Sequence, residues 1–356
     1  METKRREFIN VLRGTAIFLM LWGHAFQYFS LDNFDFFENI VFKGIYSFHM
    51  PLFMLISGYL FYFSFNKRTC SELIKHKTQG LLQPIIAGTV LYFLLTEGLT
   101  SLYFDKTVKT LIYSGLGLTG LSAYWFLWGV LSCSIVISLI FKLIKNPVLR
   151  VFLTFAGIAV VAFFPNYEKN IWMYPYFVAG FLFAMIPEGK AKNILINLRY
   201  VSLPVFPILL CFYKKEHYIY TSGIHIFDYL NDFNGVKTDV FRWIIGFAGS
   251  IFAITVLKLL FDILYKYNKN VKFKILSAFG KNSLQIYILQ KIVVEYYLPL
   301  FYSKICELSG VNFLIKNMPL YSFVISPIIG ILVGGCCLII LKLFEKIKLN
   351  KIIFGR

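Results

Sequence analysis

The sequence predicts an all-α, polytopic membrane protein with about ten transmembrane helices and both termini on the inner side. Three observations carry that prediction. Apolar runs of about 18 residues or more recur along the chain, long enough to cross a roughly 30 Å hydrocarbon layer as helices. Charged residues make up only 15% of the 356 positions, where a soluble domain carries about 25%, and the mean hydropathy is +0.67. The basic residues gather between the apolar runs, dense in one connection and sparse in the next. The period-2 alternation that marks a membrane barrel does not occur.

The predicted spans lie at about 8–29, 41–65, 79–97, 121–143, 148–164, 171–187, 195–212, 240–264, 277–300 and 320–344. With the N-terminus inside, the inner segments hold Lys4, Arg5 and Arg6; Lys67, Arg68, Lys75 and Lys77; Lys142, Lys145 and Arg150; Lys190, Lys192 and Arg199; Lys266, Lys269, Lys272 and Lys274; and Lys342, Lys346, Lys348, Lys351 and Arg356. The outer loops hold fewer: Lys43, Lys106, Lys109, Lys169, Lys214, Lys215, Lys237, Lys304 and Lys316. Asp32, Asp35 and Glu38 make the first outer loop acidic. This bias fixes the orientation and accounts for the net charge of +18 through attraction to an anionic cytoplasmic leaflet. No basic stretch is long enough to form a nucleic-acid-binding domain, so no nucleic-acid partner is expected. The six cysteines show no CxxC spacing, which argues against a zinc site or any other metal centre. Arg13 interrupts the first apolar run and no small-residue cleavage site follows, so that run reads as a retained span.

Within the first span, Arg13 and His24 stand out. An ionisable side chain at membrane depth costs a few kcal/mol or more and normally faces a protein interior or a wet cavity. Eleven positions of helix give about 16 Å of rise and three turns plus about 20° of rotation, which puts both on one face. The second span carries His49 and Pro51 near its outer end and Ser57 deeper. His49 is either an interfacial histidine or, at a depth similar to His24, part of one site with it. The basic inner loop that includes Lys77 sets topology or forms a mouth for a phosphorylated cytosolic molecule. Trp125 and Trp128 suit an interfacial belt. The ninth span is the least apolar: Gln285, Gln290, Lys291 and Glu295 lie inside it, and Lys291 and Glu295 are spaced to pair at i,i+4. Arg242 and Asp239 are placed for an outer ion pair. The outer loop at about 213–239 is rich in Tyr, His, Asp and Asn, which suits a membrane interface or a sugar.

These residues resemble a known family. Arg13–x10–His24, FHMPLFMLISGYLF from Phe48 to Phe61, WFLW from Trp125 to Trp128 and GKNSLQIYILQ from Gly280 to Gln290 look like the acyltransferase-3 family of integral membrane acyltransferases. The FHMPLF form is similar to the branch of fucose 4-O-acetyltransferases and capsule or lipopolysaccharide O-acetyltransferases. The resemblance runs the length of the chain, and its most specific part is the arginine–histidine spacing. It implies one membrane acyltransferase domain over 1–356, in the inner membrane of a bacterium. Such a domain moves an acetyl group from cytosolic acetyl-CoA to a hydroxyl of a cell-surface carbohydrate, free or lipid-linked, with no metal. In the family pattern His24 takes the place of the catalytic histidine and Arg13 that of the arginine acting with the donor. Lys77 is expected on the donor side, and His49, Ser57, Trp125, Gln290, Lys291 and Glu295 around the substrates. Two positions depart from the pattern. An Arg-x-x-Arg pair before the third span is here Lys77-Thr-Gln-Gly80, and a segment that ends in histidine elsewhere ends in Gln290.

The chemistry fits these side chains. Transfer from a thioester to a hydroxyl needs a base near neutral pH, and imidazole is the usual one. His24 serves as that base or as a transient acyl carrier. Arg13 holds donor phosphates or polarises the thioester carbonyl. The interval between them matches a long, thin donor lying along the helix. The competing reading is a flippase or exporter of a polysaccharide or lipid-linked sugar. It accommodates ten spans with buried polar residues, but predicts repeat symmetry, which is not visible, and polar groups spread over more spans than one, two and nine.

Overall fold

The computed structural model describes residues 2–29, 35–98, 123–228, 230–267, 273–307 and 318–355. Asp32, Lys106, Lys109, Lys269, Lys272, Lys316, Arg356 and the first two residues of the fourth predicted span lie outside them. The described residues form helices and connections only. In chain order the helices are α1 (Glu2–Tyr28), α2 (Ile40–Phe65), α3 (Cys70–Phe93), α4 (Trp125–Leu143), α5 (Pro147–Val161), α6 (Tyr167–Met185), α7 (Glu188–Cys211), α8 (Phe233–Tyr267), α9 (Lys274–Lys281), α10 (Ser283–Gln290), α11 (Leu298–Glu307), α12 (Ser326–Lys346) and α13 (Leu349–Phe354). Wider π-helical turns join α10 to α11 at Lys291–Tyr297, extend α3 at Leu94–Gly98 and lead into α12 at Tyr321–Ile325.

Every predicted span coincides with helix, but the spans differ in capacity to cross. Seven helices are long and apolar enough to cross a membrane: Lys4–Tyr28, Ile40–Phe65, Cys70–Thr96, Trp125–Leu143, Glu188–Cys211, Phe233–Tyr267 and Met318–Lys346. The other three differ for physical reasons. α5 has 15 residues, about 22 Å of helix. α6 begins with the polar run Glu168, Lys169, Asn170. The ninth segment is interrupted at Asn282 and again by the π-helical stretch.

Local chemistry explains the helix starts. Asn39 Oδ1 accepts from the backbone N–H groups of Val41 and Phe42 at 3.0 and 3.2 Å. Thr69 and Glu72 form a reciprocal capping box before α3. Asn146 caps α5, with Pro147 in the first turn, where its missing N–H costs nothing.

The chain divides into two compact units, with boundaries inside α2 and α3. One comprises residues 1–45, 82–124 and 273–356. Its axis is α1, which packs on α9 and antiparallel to α12. A Cβ on Gly14 would overlap the Leu276 carbonyl, and one on Gly280 would overlap the Asn10 carbonyl. Backbone therefore meets backbone at this crossing, the close approach that small residues permit between membrane helices. Trp22 Nε1 donates to Ser326 Oγ at 2.8 Å, and the Tyr321 hydroxyl donates to the carbonyls of Ala25 and Phe29. The basic ends of α1, α9 and α12 thereby gather at one end of this unit.

The other unit comprises residues 46–81 and 125–272. The same device recurs between α2 and α6: Gly58 lies against the Phe177 carbonyl and Gly180 against the Leu55 carbonyl. Phe61, Phe65, Phe141 and Phe181 pack edge-on or tilted around that contact. The predicted Asp239–Arg242 pair forms, at 2.6 Å, and is fully buried. Arg242 also donates to the backbone carbonyls of Glu216, His217 and Gly223 and to Ser222 Oγ. These bonds tie the start of the 213–239 loop to α8.

Candidate functional site

α1 is an unbroken helix, so Arg13 and His24 remain on one face about 16 Å apart. Both ends of that interval meet the ninth segment. Arg13 Nη2 donates to Ser283 Oγ at 2.6 Å, at the start of α10. At the other end the charges of Glu295 and Lys291 act on the His24 ring. The intervals 13–24 and 283–295 are nearly equal and run in the same sense, so α10 and the π-helical stretch lie alongside α1 and run parallel to it. This line carries Arg13, His24, Lys291 and Glu295 of the polar groups that the sequence singles out.

His24 is half-buried, and its Nδ1 lies 2.9 Å from Gln27 Oε1. The amide oxygen can only accept, so Nδ1 carries the proton and the Nε2 lone pair is the basic site. Nε2 makes no hydrogen bond among the described residues. The Tyr28 ring lies 5.8 Å from the imidazole. Lys291 and Glu295 form the expected i,i+4 ion pair at the start of the π-helical stretch, with side chains 15% and 21% exposed. The Lys291 ammonium also sits 5.3 Å from the centre of the Tyr92 ring. Gln290, just before it, is buried, and its side-chain oxygen has no hydrogen-bond partner. The buried Tyr124 packs edge-on against Tyr287 and donates to the Ile288 carbonyl. A neutral imidazole, a cation, a carboxylate and several phenols thus share one neighbourhood. Such a set can take up a proton and steady a developing negative charge.

The remaining predicted residues belong to the other unit. His49 is buried, edge-on to Tyr46 at 4.8 Å. Ser57 donates to the Phe53 carbonyl at 2.8 Å, a back-bond within its own helix. Trp125 stacks on Trp172 at 6.5 Å, with the Lys169 ammonium 5.8 Å from its ring. Lys77 places its ammonium 5.3 Å from the Phe61 ring.

The sequence reading did not single out Gln27, Tyr28, Tyr92, Tyr124, Ser283 or Tyr287. Gln27 and Tyr28 follow His24 by three and four positions, the spacing of neighbours on a helix face, and were open to discovery on that ground. The others are brought in from distant segments. No group of three or more His, Cys, Asp or Glu side chains suited to a metal occurs among the described residues.

Comparison with known proteins places the chain in a family. A family model described as an acyltransferase domain matches residues 6–342. The chain is 28% identical over 225 residues to nodulation protein NolL of Mesorhizobium japonicum, covering 61% of this chain and 58% of that protein. It is 31% identical over 233 residues to nodulation protein NolL of Sinorhizobium fredii, covering 62% of this chain and 60% of that one. The matched stretch thus spans less than two thirds of either relative. No solved structure matches the chain. The family model takes in Arg13, His24, the whole ninth segment and most of α12, and the chain belongs to the acyltransferase-3 family.

Proposed function

We propose that the protein is a membrane O-acetyltransferase that moves an acetyl group from cytosolic acetyl-CoA to a hydroxyl of a cell-surface carbohydrate. The observation that carries this reading is the His24–Gln27 contact, which presents Nε2 as a base at one end of a line that begins at Arg13. His24 Nε2 takes the proton of the acceptor hydroxyl as its oxygen attacks the thioester carbonyl. Lys291 offsets the negative charge that develops on the carbonyl oxygen. The carbon–sulfur bond breaks, His24 returns the proton to the thiolate, and the products are an O-acetyl ester and a free thiol. Glu295, whose charge acts on the ring, favours the imidazolium that exists between the two transfers.

Arg13 at the basic end takes a phosphate or the donor's polar arm, and Lys77 is also assigned to the donor. Gln290, His49, Ser57 and Trp125 are assigned to substrate contact. The chain acts as one domain over 1–356, crosses ten times with both ends inside, and resides in a bacterial inner membrane. The gathering of basic helix ends in one unit supports that orientation. The acceptor is a capsule, lipopolysaccharide or related glycan, free or lipid-linked.

The test is transfer of radiolabel from [acetyl-14C]acetyl-CoA in inverted vesicles supplied with surface-glycan extracts, comparing wild type with an equally expressed His24→Ala variant. Label in the glycan fraction with wild type alone supports the reading. Expressed wild type that neither consumes the donor nor labels glycan overturns it.

A further inference from the structure

α12 ends at Lys346, and the chain reverses sharply through Lys348, whose φ of 59° is in the left-handed region. A lysine there is strained where glycine would not be. The reversal lays α13 back along the unit. Gln83 Nε2 fixes it by donating to the carbonyls of Lys351 and Ile352 at 3.1 and 2.8 Å, while Ile353 and Phe354 are buried beneath. A cavity of about 440 Å³ opens between α10, the end of α12 and α13, lined by Gln285, Glu345, Lys348, Asn350, Lys351 and Phe354. That volume is within the range of small-molecule sites.

Two features of the lining are unusual together. The side-chain oxygens of Gln285 and Asn350 are buried and have no hydrogen-bond partner. A buried acceptor left unpaired costs about 1–3 kcal/mol, so two facing one cavity point to a ligand with N–H donors. Lys348 and Lys351 are exposed at the rim and add two cations against the single carboxylate of Glu345. The cavity shares α10 with the line already described. Gln285 is two positions from Ser283, which Arg13 holds.

We propose that this cavity is a second part of the donor site and takes the phosphopantetheine arm of coenzyme A. Lys348 and Lys351 meet its phosphates, and the Gln285 and Asn350 oxygens accept from its two amide N–H groups. The thiol end then points along α10, past Arg13, in the direction of His24. This rests on the acetyl-CoA reading above. The chemistry that selects the arm over an anionic lipid headgroup is the pair of amide donors, which a phosphatidylglycerol headgroup lacks.

The experiment measures coenzyme A binding to the full-length protein in nanodiscs, with and without phosphatidylglycerol, alongside amine-reactive footprinting of Lys348 and Lys351. Expected are a dissociation constant raised about tenfold or more in Lys348→Gly combined with Lys351→Gln, and a similar loss in Asn350→Leu. Coenzyme A protects both lysines from the reagent. Lys348→Gly suits the backbone at that position, so the fold survives the loss of the charge. Unchanged affinity in the folded variants overturns the location and leaves the acetyltransferase reading standing. Protection by phosphatidylglycerol with no further protection by coenzyme A overturns it too. A wild type that binds no coenzyme A overturns the site and the donor assignment together.

Discussion

Gln27 fixes the tautomer of His24: its side-chain oxygen lies 2.9 Å from Nδ1 and can only accept, so the lone pair belongs to Nε2. Gln27→Leu removes that constraint while leaving the imidazole in place. The expected outcome is a kcat for acetyl transfer about tenfold to a hundredfold lower, with KM for the donor little changed. His24→Ala loses about a hundredfold or more. Steady-state kinetics on purified protein separates the two. Equal rates for wild type and Gln27→Leu would sink the tautomer argument.

Lys291 and Glu295 are expected to contribute to stability as a pair and to activity as individuals. Glu295→Gln leaves a half-buried ammonium short of a counter-charge, at a cost of about 1–3 kcal/mol. Combining it with Lys291→Met restores much of the melting temperature, because no charge is left unpaired. Activity stays low in both. A double-mutant cycle read in parallel by thermal melting and label transfer reports the two effects separately. Recovery of activity along with stability would make the pair purely structural.

Gly280→Ala and Gly80→Ala are expected to have opposite signs. At Gly280 the added methyl overlaps the Asn10 carbonyl, and α1 and α9 must part to admit it. The cost is about 1–3 kcal/mol and a matching fall in activity, because the same crossing aligns α1 with the ninth segment. At Gly80, inside α3, nothing lies within 4 Å, and alanine gains up to about 1 kcal/mol of helix propensity. Thermal melts of both variants in one detergent provide the comparison.

The 213–239 loop is expected to respond to acid through His217. Burial lowers its imidazole pKa from the usual 6.5, Glu216 opposing that shift in part. Its Nδ1 accepts from the Lys214 backbone N–H at 2.8 Å, a bond that protonation removes. The unfolded loop binds the proton more readily than the folded one. The stabilisation is therefore complete above pH 6.5 and is lost as pH falls below it toward the folded pKa. Hydrogen exchange in residues 214–225 is expected to accelerate between pH 7.5 and 5.5, after correction for intrinsic rates, and His217→Gln to abolish the difference. An acid response that survives in His217→Gln assigns it to another group.

The sequence exposes Arg13 and His24 because a charge inside an apolar run has few bland explanations, and the helix period alone aligns them. Lys291 with Glu295, and Asp239 with Arg242, are readable for the same reason: helical neighbours are fixed by spacing. What spacing cannot reach is the partner from elsewhere in the chain. Ser283 looks like an ordinary polar residue at a helix start until Arg13 lies against it. Gly14 and Gly280 gain meaning only as a crossing of two backbones. The C-terminal lysines read as topology signals, and nothing in their order reveals that Lys348 reverses the chain or that Gln83 pins α13.

The Arg13–Ser283 bond joins residues 270 positions apart, and that interval bears on how the protein is made. At roughly 5–20 residues per second, ribosomes need on the order of 15–55 s to reach Ser283 after Arg13. During that time the first helix exists without the Ser283 acceptor that Arg13 uses in the finished protein. It either waits near the membrane surface, with Arg13 reaching for phospholipid headgroups, or stays sheltered by the insertion machinery until the ninth segment emerges. The packing of the first helix is thus completed only when the ninth segment is made, and misassembled chains should be those in which α1 was released before it.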